Sequence, residues 1–118
     1  MKSIDEFVAE RRRLNEAVLA QDHLGIKRFF SLDEAAYRDG ALTAGVKELC
    51  GLTASAVLRC DDCISYHIIQ CVKAGFSDAE IVDALNVALV VGGSIVAPHL
   101  RRAIGTLGEV RGHSDLQL

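Results

Sequence analysis

Three times in this chain a serine stands three residues ahead of a glutamate: Ser3 and Glu6, Ser31 and Glu34, Ser77 and Glu80. That spacing lets each side chain satisfy the other residue's backbone N–H at the start of a helix. Apolar residues at helical spacing follow each pair, and glycine then interrupts them. Helix signals recur in this way along the chain and strand signals do not, so its apolar surface has to be buried helix against helix.

The first helix keeps Ile4, Phe7, Val8, Leu14, Val18 and Leu19 on one face as far as about Asp22, and Gly25 breaks the pattern. A second, shorter helix is expected to open at Ser31 and end near Gly40. The third begins near Thr43 and runs through Val46, Leu49, Cys50 and Val57 toward Arg59, with Cys50 read as core. Asp61 is placed to cap the fourth, which carries Ile64, Ile68 and Val72 and stops at Gly75. The fifth runs from Ser77 through Ile81, Leu85 and Leu89 to Gly92 and Gly93. Ser94 is expected to cap the last, where Pro98 falls in or near the first turn and its missing N–H costs little. The tail after Gly108 reads as frayed. The expectation is an all-α, compact bundle of five or six helices, one domain over residues 1–118.

Half of the residues are hydrophobic while aromatics make up only 5%. A compact monomer of this size has limited interior, so part of that apolar surface is expected between subunits of a homo-oligomer. The formal charge of -3 comes with mixed signs apart from Arg11, Arg12 and Arg13, read as solvated surface, and argues against nucleic acid as a partner. The start, MKSIDEF, has no apolar signal region, and the longest apolar segment, Ala84 to Pro98, is too short and interrupted to cross a bilayer. The expected location is cytoplasmic. In a reducing compartment, four cysteines point to reactive or metal-binding roles rather than to structural disulfides.

The chemistry concentrates in RCDDCISYH, residues 59–67. Cys60 falls at the end of the third helix or in the turn, and Cys63 in the first turn of the fourth, where unpaired N–H groups and the helix dipole favour a thiolate. His67 lies four residues beyond Cys63, one turn along the same face, and can take the thiol proton or stabilise the thiolate. Two cysteines at this spacing can also close a disulfide, so attack, closure and re-reduction make a complete cycle. Cys71 lies a further turn on; a zinc-stabilised interaction module using Cys60, Cys63, His67 and Cys71 is a competing reading, set against Cys71 as a small buried hydrophobe.

The arrangement resembles the alkylhydroperoxidase D and carboxymuconolactone decarboxylase superfamily, through DGALTAGVKELCGLTASAVLRCDDCISYH, the following GFSDAEIVDALNVAL and the glycine pair of VVGGS. The family pattern of Lys-Glu, CxxC and His is met here by Lys47, Glu48, Cys60, Cys63 and His67. The resemblance implies an alkylhydroperoxidase D-like helical fold and a thiol-disulfide oxidoreductase with peroxiredoxin-like, alkyl hydroperoxide reductase activity. It implies that Glu48 orients His67, that His67 deprotonates Cys63, and that Cys60 is the disulfide partner. No metal or organic cofactor is implied. The implied partners are a hydroperoxide or disulfide substrate and a dithiol reductant such as a lipoyl or thioredoxin-like protein. The implied assembly is a hexamer built as a trimer of dimers. A carboxymuconolactone decarboxylase-like lyase is a further alternative, and so is a redox sensor that forms a disulfide without turning over. Asp62 stands where the peroxidase branch often has histidine, and a carboxylate there disfavours the neighbouring thiolate. Twelve residues of helix separate Glu48 from Cys60, about 18 Å of rise. In a simple hairpin Glu48 would face the far end of the fourth helix, so either the helices cross or the glutamate comes from another subunit.

Overall fold

The computed structural model describes all 118 residues, Met1–Leu118. It is all-helical: α1 (Ile4–Leu19), α2 (Leu24–Ala36), α3 (Ala44–Val57), α4 (Asp61–Lys73), α5 (Asp78–Gly92), a 3₁₀ turn (Ser94–Val96) and α6 (Ala97–Arg111). No helix is long and apolar enough to cross a membrane.

The helix starts follow from local chemistry. Ser3, Thr43 and Ser77 each accept a backbone N–H from the residue three positions on, and at Ser77 the Glu80 side chain returns the bond to the cap. At α1 a different free donor of the first turn is satisfied from elsewhere, since the Ile4 N–H donates to Glu109 of α6 at 2.8 Å. Gly75 and Gly93 take positive φ, 93° and 80°, and end α4 and α5 in a backbone region that side-chain-bearing residues rarely occupy.

Three expected boundaries differ. α2 begins at Leu24, well before Ser31, because the imidazole of His23 accepts the Ile26 N–H and acts as the cap. Gly25 sits inside this helix, where its lack of a Cβ leaves room for the His23 ring. The break falls instead at Asp22, with φ of 52°. At α4 the cap is Cys60 rather than Asp61. Ser94 opens the 3₁₀ turn, and α6 follows with Pro98 in its first turn. The end is tied down further than its composition suggests: α6 runs to Arg111, Arg12 donates to the Gln117 carbonyl at 2.8 Å, and Leu116 and Leu118 pack against the core.

One apolar core runs through the molecule. α3 packs on both α4 and α5, and α6 closes over α4 and α5. Leu52, Ile64, Ile68, Ile69, Ile81 and Leu85 are fully buried and interlock at its centre. The 3₁₀ turn feeds Val96 into this core against Gly92, where a Cβ would lie 2.4 Å from a Val96 methyl. α1 adds Ile4 and Phe7 alongside α6. α2 contributes no buried residue, and Leu24, Phe29 and Leu32 face outward on it. Val87, Val90, Val91 and Ile95 leave a second apolar strip exposed at the end of α5.

Candidate functional site

Where α3 hands over to α4, Arg59 takes a positive φ of 60° and turns the chain, so that Cys60 becomes the residue on which α4 starts. Its sulfur accepts the Cys63 N–H at 3.2 Å, and the two cysteines are joined as a disulfide with their Cα atoms 5.2 Å apart. Cys63 is exposed and Cys60 half-buried.

One turn further along α4, His67 is only 7% exposed, and its Nδ1 lies 2.7 Å from Oε2 of Glu48, itself 7% exposed. The two residues belong to the same chain, so no second subunit is needed to bring the glutamate. The carboxylate acceptor assigns the proton to Nδ1, which leaves Nε2 with a lone pair able to accept another proton. α3 comes this close to α4 because of Gly51, which the sequence reading did not single out. A Cβ there would meet the imidazole at 2.5 to 2.9 Å, so the glycine is the floor on which the ring lies.

Two tyrosines flank the ring. Tyr66 packs edge-on at 5.0 Å between centroids, and Tyr37, at the end of α2, lies tilted at 5.6 Å. Burial, and after it the Glu48 carboxylate, pushes both phenols above their ordinary pKa. Arg11 stacks over the Tyr66 ring at 4.5 Å, so this arginine belongs to the site rather than to solvated surface. Phe7, Leu14, Tyr37, Tyr66, Cys63 and His67 line a cavity of about 380 Å³, with Lys2, Arg11, Asp33 and Asp62 among its polar walls. Cys63 and the imidazole thus share one cavity of mixed apolar and charged walls. A second cleft of about 530 Å³, between the start of α1 and α6, is reached by neither cysteine.

The aspartates of the motif diverge. Asp61 is held from α6, by Nδ1 of His99 at 2.7 Å and Nε of Arg102 at 2.9 Å, so its charge is balanced locally. Asp62 is exposed at the cavity mouth. His99 is thereby an anchor for the start of α4.

The remaining cysteines part from expectation in one case. Cys71 is fully buried, and desolvation, helped by Glu48, pushes its thiol up to about 12. Cys50, expected in the core, is exposed, because α3 turns Glu48, Leu52, Ser55 and Ala56 inward instead. No group of three or more His, Cys, Asp or Glu side chains gathers in a geometry that could hold a metal ion, so the donors of the zinc reading do not converge.

Residues 26–105 match the profile of the Carboxymuconolactone decarboxylase family. Two crystal structures of a Thermotoga maritima protein are similar. One is 62% identical with a TM-score of 0.88, covering 91% of this chain and 94% of that one. The other, described as a carboxymuconolactone decarboxylase family protein and a candidate for a part in antioxidative response, is 61% identical with a TM-score of 0.86, covering 91% of each chain. A family protein from Legionella pneumophila, in apo form, shares the fold at 23% identity, with a TM-score of 0.84 over 91% of this chain and 96% of its own. The uncharacterized protein 4 of the cox locus of Paracoccus denitrificans is 27% identical over 84 residues, 71% of this chain and 76% of that protein.

Proposed function

The chain belongs to the carboxymuconolactone decarboxylase family, and from that premise we propose that it is a thiol-disulfide oxidoreductase with peroxiredoxin-like activity. The observation that carries the proposal is the Cys60–Cys63 disulfide at the start of α4, with the Glu48–His67 pair one turn away. The antioxidative part suggested for the Thermotoga maritima relative supports it.

In the reduced protein, Nε2 of His67 takes the proton of Cys63, and Glu48 holds the resulting imidazolium. The thiolate attacks the terminal oxygen of a hydroperoxide: the S–O bond forms, the O–O bond breaks, and His67 returns the proton to the departing alkoxide, leaving a sulfenic acid and an alcohol. Cys60 then attacks the Cys63 sulfur, the disulfide closes and water leaves. A dithiol of the lipoyl or thioredoxin type reduces the disulfide and is itself oxidised. The start of α4 stabilises the thiolate through its free N–H groups. The balance of Asp61 by Arg102 and His99 removes one of the two carboxylate charges that would oppose it.

The proposal extends to a homo-oligomer, a hexamer formed as a trimer of dimers, in which the apolar faces of α2 and the end of α5 are covered by other copies, working in the cytoplasm. Light scattering at micromolar concentration tests the assembly, and a monomer refutes it.

The test of the activity is an intact mass and a free-thiol count on the reduced, metal-free protein before and after one equivalent of an organic hydroperoxide. Rapid loss of two thiols with loss of two hydrogens is expected, and Cys60→Ser and Cys63→Ser each abolish the disulfide. An unchanged thiol count in the wild type refutes peroxide as substrate.

A further inference from the structure

Lys47 and Glu48 are neighbours on α3, but their side chains leave it about 100° apart and reach different parts of the molecule. Glu48 turns inward to His67. Lys47 turns to the end of α2, where its Nζ donates to the carbonyl of Ala36 at 2.9 Å and to that of Arg38 at 2.7 Å. Those two carbonyls flank Tyr37, whose ring lies against His67. α2 has no basic residue in its own last turn and buries no side chain. The ammonium therefore adds a side-chain clamp to the end of α2, beyond the backbone bonds of Tyr37 and Arg38 to its last turn, and it does so from the helix that carries the site's glutamate.

We infer that Lys47 is a positioning residue of the thiol site: by clasping the carbonyls on either side of Tyr37 it sets that ring as a roof over His67 and limits the water that reaches the Glu48–His67 pair. The inference rests on the reading of His67 as the proton partner of Cys63. Other charged groups bordering the same cavity are Lys2 just ahead of α1, Glu10 and Arg11 from α1, Asp33 from α2 and Asp62 from α4. Lys47 is not among its walls, so it acts through Tyr37. With the roof loosened, water screens the carboxylate's hold on the imidazolium, and the Cys63 thiolate forms less readily.

The experiment follows alkylation of Cys63 by iodoacetamide, read by peptide mass spectrometry, as a function of pH in the full-length protein reduced with dithiothreitol. No peroxide enters, so the result is independent of the substrate. Lys47→Met is expected to move the midpoint of the profile upward by about half a pH unit, a threefold fall in rate on the rising limb. Tyr37→Ala is expected to give the same shift, the double variant no more than either alone, and Lys47→Arg to restore the wild-type profile. A wild-type profile in Lys47→Met, or shifts that add in the double variant, overturns the inference, whatever happens to thermal stability. If Lys47→Met does not fold, Tyr37→Ala decides alone, and an unshifted profile overturns the roof. His67→Gln separates the two levels. A shift there with none in Lys47→Met or Tyr37→Ala removes Lys47 and leaves the thiol–imidazole reading standing; no shift in any of them removes both.

Discussion

Replacing Gly51 by alanine tests the geometry of the site through the sign of a stability change. In an unencumbered helix, Gly→Ala stabilises by about 1 kcal/mol, because alanine has less backbone freedom to lose. Here the new methyl would stand 2.5 Å from Cε1, 2.7 Å from Nε2 and 2.9 Å from Nδ1 of His67. A flexible surface side chain could step aside cheaply, but this ring is buried, bonded to Glu48 and flanked by Tyr37 and Tyr66. Moving it breaks a hydrogen bond to a carboxylate, worth about 1.5–3 kcal/mol, and leaves Glu48 buried without a partner. Set against the propensity gain, the net is a loss of about 0.5–2 kcal/mol, or roughly 2–8 °C in Tm for a domain of this size. Thermal unfolding followed by circular dichroism measures it, and alkylation of Cys63 in the same variant should slow. A rise in Tm, with Cys63 reactivity unchanged, would refute the reasoning, since it would mean that the ring does not rest on Gly51.

Glu48→Gln preserves shape and removes charge, and is expected to slow peroxide-dependent thiol loss by on the order of 10²-fold with little change in Tm; stopped-flow thiol assays check this. Cys71, with its thiol pushed up to about 12 by burial, should stay unmodified when the folded, reduced protein is treated with a thiol reagent at neutral pH. Cys50, Cys60 and Cys63 should react, and rapid modification of all four would contradict the packing. His113 is raised above the ordinary histidine value, first by the Glu109 carbonyl and then by Asp5. A raised folded value means that its contribution to holding the chain end is complete below the ordinary histidine pKa and is lost as pH climbs through the raised one. An NMR titration should find the His113 midpoint above that of a model histidine, and Asp5→Asn should bring it partway down.

The helix starts at Ser3, Thr43 and Ser77 and the stops at Gly75 and Gly93 were legible because caps and positive φ are local chemistry, written within a few residues. His23 as a cap was not, since histidine is not among the usual capping residues and its imidazole reached Ile26 only because Gly25 makes room. In the site, Cys60, Cys63 and His67 share one helix start and could be read together from their spacing. That Glu48 meets His67 depends on how α3 crosses α4, which helical periodicity leaves open: it tells which residues share a face and not which neighbour that face meets. Tyr37 and Gly51 escaped for the same reason, Arg11 reads in sequence as solvated surface, and Lys47 stands in the family pattern without a role, each being defined by a contact to another element. Cys50 was misplaced because an apolar residue next to a helix's inward face looks the same in sequence as one on it.

The disulfide at the head of α4 joins residues only three apart in sequence. Closing so small a ring removes little freedom from an unfolded chain, about 2 kcal/mol by loop-closure entropy, against nearly 5 for a loop of a hundred residues. Most of the conformational entropy lost in folding is therefore offset by the apolar core and not by this bond. Opening and closing it is expected to leave the rest of the helical frame where it is, so that a reductant works against the chemistry of two sulfur atoms and not against the stability of the whole chain.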